Sequence, residues 1–174
     1  MGTFVNTSDF TNGEILISQS SATEQELEPY IDTAELEILQ ELFGSELYAL
    51  FIADLVGGVP QDARFVAVFN AFYDDSDSVV GWCCGASRSE GIKKMLMRFI
   101  NFSFTRDQPH QNTPVGTVKN QSENSTNASA AAYGAVIKYN IAVESYQSIA
   151  RKMILDSVTY PEYNGIPKEK TIFI

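Results

Sequence analysis

The sequence predicts a mainly α protein: a small bundle of about five helices, a long polar loop or β-hairpin insertion, and extended N- and C-terminal arms. Three observations predict it. Apolar residues recur at helical spacing in successive stretches, as they do in helices that bury one face. Gly44 and the Gly57-Gly58-Pro60 group punctuate those stretches. One long interruption, Asp107 to Ser129 (DQPHQNTPVGTVKNQSENSTNAS), separates the last two helical patterns and has almost nothing to bury.

Residues 1–20 alternate weakly around Phe4, Val5, Ile15, Leu16 and Ile17, broken at Thr11-Asn12-Gly13. They predict an extended arm with room for a short strand. Residues 21–159 form the bundle domain. Ser20 and Ser21 offer N-caps before Glu24, Glu26 and Glu28, acids placed where the helix dipole prefers them. Leu27, Tyr30, Ile31, Ala34, Ile38, Leu39 and Leu42 then follow helical spacing, and Pro29 suggests that the regular helix starts there. Gly44 supplies the stop, and Ser45 caps a second helix with Leu47, Leu50, Phe51 and Leu55 on its stripe. A third helix is expected over residues 62–73, with Phe65, Val68, Phe69 and Phe72 on one face. Asp74-Asp75-Ser76-Asp77 reads as an acidic turn, and Val79 to Gly85 is apolar enough for Trp82, Cys83 and Cys84 to seal the core. After Ser89 a fourth helix points Ile92, Met95, Leu96 and Phe99 inward and Lys93, Lys94 and Arg98 outward.

The fifth helix is the longest. Ala128, Ala132, Ala135, Tyr139, Ala142, Tyr146, Ile149 and Met153 are spaced 4, 3, 4, 3, 4, 3, 4, with Gly134, Lys138, Ser145, Ser148 and Lys152 on the opposite side. Such a seam suits a central core helix, or a dimeric coiled coil. Within the insertion 107–129, the arm Thr113, Pro114, Val115, Gly116, Thr117 and Val118 reads as a small hairpin with a Gly turn, or as an extended arm. Residues 160–174 contain Pro161, Gly165 and Pro167, so the tail is not helical throughout, and it ends in a β-prone TIFI.

At 174 residues the chain suits one domain with a real core. No run approaches the roughly 18 apolar residues of a bilayer span. The start, MGTFVNTSDF, lacks the features of a secretory signal, so the sequons at Asn6, Asn101, Asn120, Asn124 and Asn127 read as composition. Adjacent Cys83 and Cys84 rule out a disulfide framework and point to reduced thiols in a reducing cytoplasm. Chemistry has little to work with. His110, the sole histidine, sits in the polar insertion, and Asp75-Ser76-Asp77 lacks the glycine and distant glutamate of a calcium loop. Phosphate-binding glycine loops and nucleophile elbows are missing. The reading is a protein that is not an enzyme and takes no metal or other cofactor.

The net charge of −10 hides a split. Residues 1–87 hold 15 acids and one base, Arg64; residues 88–174 hold 7 acids and 11 bases. Solvated helix faces account for most charge runs. The alternative is head-to-tail self-association, in which an acidic face meets the basic face of the next copy. The acidic total argues against generic duplex binding.

An acidic N-terminal helix pair, short middle helices, a polar hairpin or loop, and a long late helix with an extended tail resemble the head–tail connector proteins of tailed bacteriophages, also called adaptor or head-completion proteins. The resemblance covers roughly residues 24–174 and includes segments such as ELFGSELYALF and GIKKMLMRFINFSF. It implies a virion structural protein, assembled in the host cytoplasm, of which about 12 copies form a cyclic ring below the portal. The ring would extend the channel through which DNA passes non-specifically, and would join capsid to tail. Implied partners are other copies, the portal protein, and tail or neck proteins, with no membrane. A portal-docking tail would fall on Tyr160, Tyr163, Ile166, Ile172, Phe173 and Ile174. The insertion would reach neighbouring copies or line the channel. The charge split would set the register, with Lys93, Lys94, Arg98 and Arg106 facing acids such as Glu35 and Glu41 of a neighbour. The alternatives are another neck or tail-completion protein, a cytoplasmic helical binding or regulatory module, and, least, an acid-dependent hydrolase.

Overall fold

A computed structural model describes residues 4–11, 15, 17, 24–74, 87–107, 110–113, 116–119 and 129–169. Among them five α-helices carry the architecture: α1 (Glu24–Phe43), α2 (Ser45–Ala53), α3 (Ala63–Phe69), α4 (Ile92–Asp107) and α5 (Ser129–Leu155). Three antiparallel strand pairs decorate them: β1 (Leu55–Val56) with β2 (Val59–Pro60), β3 (Phe72–Asp74) with β4 (Ser87–Ser89), and β5 (His110–Thr113) with β6 (Gly116–Lys119). The mainly α bundle with a hairpin insertion is the fold that the sequence predicts.

α4 and α5 form the central pair, and α1 packs across α4. Their shared core contains Leu39, Leu42, Met95, Leu96, Ile100, Val143, Tyr146, Ile149 and Met153, all fully buried. Each large apolar side chain so placed contributes about 1.5–3 kcal/mol relative to exposure. A second focus is aromatic. Phe51 lies 4.7 Å from Phe43, 5.4 Å from Phe65 and 5.6 Å from Phe4, ring centre to ring centre, and joins α2 to α1, α3 and the N-terminal arm.

Several boundaries differ from the sequence reading, each for a physical reason. α1 starts at Glu24 and contains Pro29. Pro29 is the sixth residue of α1, past the first turn, so the helix gives up the bond to the Gln25 carbonyl there. Gly44 closes α1 with φ 75° and is also the N-cap of α2, so Ser45 is the first residue of α2 rather than its cap. α3 is shorter than expected because Asn70 turns extended and releases Phe72–Asp74 to pair with Ser87–Ser89. A strand partner that distant leaves no local periodic signal.

The N-terminal arm is part of the core. Phe4, Val5 and Phe10 are buried, and Thr7–Phe10 form a single 3-10 turn in place of the expected short strand. Asn6 N–H donates to Asp9 Oδ2 at 2.9 Å and fixes that turn. On α5 the predicted seam holds at Ala135, Ala142, Tyr146, Ile149 and Met153. Ser145, expected on the polar side, is buried, because β4 covers α5 on a flank that α4 does not. Leu16, Asp75 to Asp77, Trp82, Cys83, Cys84 and the sequons at Asn120, Asn124 and Asn127 lie outside the described residues.

After α5 the chain turns at residues 156–159 and runs back over the bundle as a strap, residues 160–169. Asn164 N–H donates to Phe43 O at 3.4 Å and Ile166 N–H to Glu41 O at 2.7 Å. These are last-turn carbonyls of α1, which have no partner inside their own helix. The approach is backbone on backbone. A Cβ at Gly165 would collide with the Leu42 carbonyl, and one at Gly44 would lie 2.7 Å from Asn164 O.

Candidate interaction surfaces

The six charged residues expected at a subunit interface divide sharply. Arg98 turns inward and is 5% exposed. Its guanidinium forks onto Glu90, with Nε to Oε2 at 2.6 Å and Nη2 to Oε1 at 3.0 Å. Glu35, 8% exposed, accepts from the backbone N–H groups of Phe4 and Val5, both at 2.8 Å, and pins the N-terminal arm to α1. A buried charge must be satisfied internally, so neither residue is on offer to a neighbour. Their assignment to an interface is corrected to roles inside the fold. Lys93 pairs with Asp9 at 2.9 Å, and Glu41 pairs with Lys168 of the strap. Arg106 forks onto Asp107 at 2.6 and 3.0 Å and lies over the Phe102 ring. Lys94 is exposed and makes no ion pair with another described residue.

Around Arg98 lies a polar network that helical periodicity did not reveal. The Glu90 carboxyl is held below its usual range, first by its hydrogen bonds from Arg98 and then by nearby cations that include Lys94 and Arg88. Ser145 Oγ accepts from Glu90 N–H at 3.2 Å, and Lys138 Nζ donates to Asn101 Oδ1 at 3.1 Å. Burial, and then the charge of Arg98, push the Lys138 ammonium down. This network locks β4, α4 and α5 in register. Its members are far apart in sequence, and no motif announces them.

In the insertion, β5 and β6 pair in a two-strand register from His110↔Lys119 to Thr113↔Gly116. Thr113, Gly116, Thr117 and Val118 of the expected arm belong to this ladder, and Gly116 sits within the pairing rather than at the turn. Pro114 and Val115 lie outside the described residues. Among the described residues the ladder's contacts are chiefly those between its own two strands.

The expected docking tail is largely committed to its own bundle. Tyr160 is buried and its phenol donates to Arg64 O at 2.5 Å. Burial raises that phenol to about 12 and raises the phenols of Tyr146 and Tyr163 as well. Tyr163 packs against the core. Ile166 exposes its side chain, but its carbonyl accepts from the Tyr146 phenol. Tyr160 is thereby corrected from a docking residue to an internal anchor, while Tyr163 is half-buried beside it. The reason is physical: a phenol can bury its ring here and still find an acceptor. Ile172, Phe173 and Ile174 lie outside the described residues.

A cleft of about 410 Å³ opens between α1 and α4. Tyr30, Phe99, Phe102 and Tyr139 give it aromatic walls, and Glu37, Arg106 and Lys168 give it charged edges. Tyr139 meets Phe99 edge-on at 5.5 Å and Phe102 at 4.7 Å. The sequence carried a hint of this second apolar face: Phe102, three residues after Phe99, is one aromatic more than a single buried stripe on α4 needs.

Among the described residues no group of three or more His, Cys, Asp or Glu side chains could hold a metal ion, and no helix is long and apolar enough to cross a membrane. The chain matches no family model, no curated protein and no solved structure.

Proposed function

We propose that this chain is a virion structural protein, a head–tail connector whose copies close into a ring below the portal, extend the DNA channel and join capsid to tail. The observation that supports it most is the β5–β6 hairpin, set between α4 and α5 of a bundle that folds both its arm and its strap back onto itself. Two strands alone are marginal in water, and among the described residues no third strand joins this pair. A hairpin of this kind gains its stability where another surface meets it. A neighbouring copy supplies that surface, and a head-to-tail contact repeated around an axis gives a ring.

The work is assembly rather than turnover, with no cofactor and no membrane. Partners are further copies, the portal, and tail or neck proteins, and DNA passes without sequence-specific contact. The charges that steer neighbours are those left outside: Arg88 and Lys94 on one side, and Glu28, Glu37 and Glu46 of α1 and α2 on the other. Exposed pairs are worth at most about 1 kcal/mol each, so they set register more than they hold the ring. Portal docking by the tail falls to the residues beyond Glu169, among them Ile172, Phe173 and Ile174.

The test is the mass of the purified chain, alone and mixed with a portal protein. A closed ring, or a monomer that assembles on the portal, is the expected result; indifference to the portal overturns the reading. The aromatic cleft favours a second reading, a helical binding or regulatory module, which an indifferent monomer would support.

A further inference from the structure

We propose that the cleft between α1 and α4 is a binding site for a small organic cation, a substituted ammonium carried on an apolar body. The inference stands without the connector reading. Its first support is the arrangement of the rings. Phe99 and Phe102 stand three positions apart on α4, so they share one face of that helix. Tyr139 of α5 lies against both, at 78° to the Phe99 ring and 45° to that of Phe102. Tyr30 lines the opposite wall from α1, edge-on to Phe104 at 5.7 Å and with its phenol bonded to the Asp107 carboxylate. Rings set at such angles line a concave wall rather than a flat stack.

Charge is the second support. Arg106 forks onto Asp107 and Lys168 pairs with Glu41, so each cation lining the cleft is neutralised by an acid of its own. Glu37, exposed on the α1 wall, has no ion pair with another described residue. The uncompensated charge of the cleft is therefore negative. An anionic ligand would meet Glu37 with no free cation to balance it, whereas a cation meets a carboxylate and ring faces together.

The third support is that these rings already hold cations of the chain. The Arg106 guanidinium lies 5.8 Å from the centre of Phe102, and the Lys168 ammonium 5.9 Å from that of Phe99, separations at which a ring quadrupole attracts positive charge. Size fits as well. A cleft of about 410 Å³ falls within the range of small-molecule sites. The aromatic walls recognise the ammonium and its apolar body, and Glu37 selects the sign of the charge.

The test uses the full chain, with benzyltrimethylammonium as the probe and phenylacetate and benzyl alcohol as its anionic and neutral comparators, read by amide NMR shifts. The expected result is saturable binding of the ammonium, with shifts concentrated in residues 29–38 and 99–107. Its affinity should exceed that of either comparator by about tenfold, and Phe102→Leu should remove about that much. Glu37→Gln, at an exposed position, should leave the melting curve unchanged and weaken the ammonium by about three- to fivefold, with a smaller salt dependence left behind. Equal binding of the three compounds, shifts without saturation or scattered over other surfaces, or an affinity that Glu37→Gln leaves unchanged would each overturn the proposal.

Discussion

The strap after α5 and the hairpin before it invite comparison, because both interrupt helix and both read in sequence as appendages. They end differently. The strap finds backbone partners on the body: α1 presents unsatisfied last-turn carbonyls, Gly44 and Gly165 let two backbones touch, and phenols on α5 reach its carbonyls. The hairpin, among the described residues, finds its backbone partners chiefly in itself. Composition does not separate the two. What separates them is whether the body has orphan polar groups to offer, and here the body spends them on the strap.

The largest expected effect tests whether the body's internal charges are truly internal. Arg98→Ala should strand the Glu90 carboxylate and cost about 3–5 kcal/mol in denaturant unfolding, whereas exposed Lys94→Ala should change stability by about 0.5 kcal/mol or less. Next comes the strap. Gly165→Ala forces a Cβ against the Leu42 carbonyl and should cost on the order of 2 kcal/mol, with proteolysis of residues 160–169 rising in step. Glu35→Ala should cost a similar 1–3 kcal/mol, roughly, by leaving the Phe4 and Val5 amides unsatisfied, and the loss should appear as faster hydrogen exchange in the arm.

Smaller effects come from pH. The Tyr160 phenol is raised from 10.0 to about 12, so its contribution to stability is fully present below 10.0 and is lost as pH rises through about 12. A spectroscopic titration should show late phenolate components, of which Tyr160→Phe removes one while those of Tyr146 and Tyr163 remain. Glu90 works at the other end. Its carboxyl is lowered by Arg98, so its contribution is present above the ordinary carboxylate range and is lost as pH falls through the lowered value. The smallest effect belongs to the hairpin. Replacing residues 110–119 with a short Gly-Ser loop should move the stability of the monomer by about 0.5 kcal/mol or less.

Much of this was legible in the sequence. The stripes on α1, α4 and α5 follow from helical spacing, the stop at Gly44 from its lack of a Cβ, and a hairpin in the insertion from its turn-prone residues. What was not legible depended on distant partners. Arg98 looks like an outward cation until Glu90 and Lys138 close around it, and Glu35 looks like one more surface acid until the Phe4 and Val5 amides reach it. Phe72 extends a helical face until Ser89 offers it a ladder. Tyr160 reads as a docking residue until the Arg64 carbonyl takes its proton donor. Local periodicity reports which side of an element is apolar; it does not report which polar groups elsewhere lack a partner.

The proposed connector role requires a bundle that is self-sufficient and a hairpin that meets a neighbour. Sedimentation of the intact chain and of the hairpin-replaced chain, each alone and with a portal protein, checks both requirements. The expected result is a ring, alone or on the portal, for the intact chain, and a monomer with an unchanged melting curve once residues 110–119 are replaced. An intact chain that stays monomeric in both settings, or a ring that forms equally well without the hairpin, would contradict it.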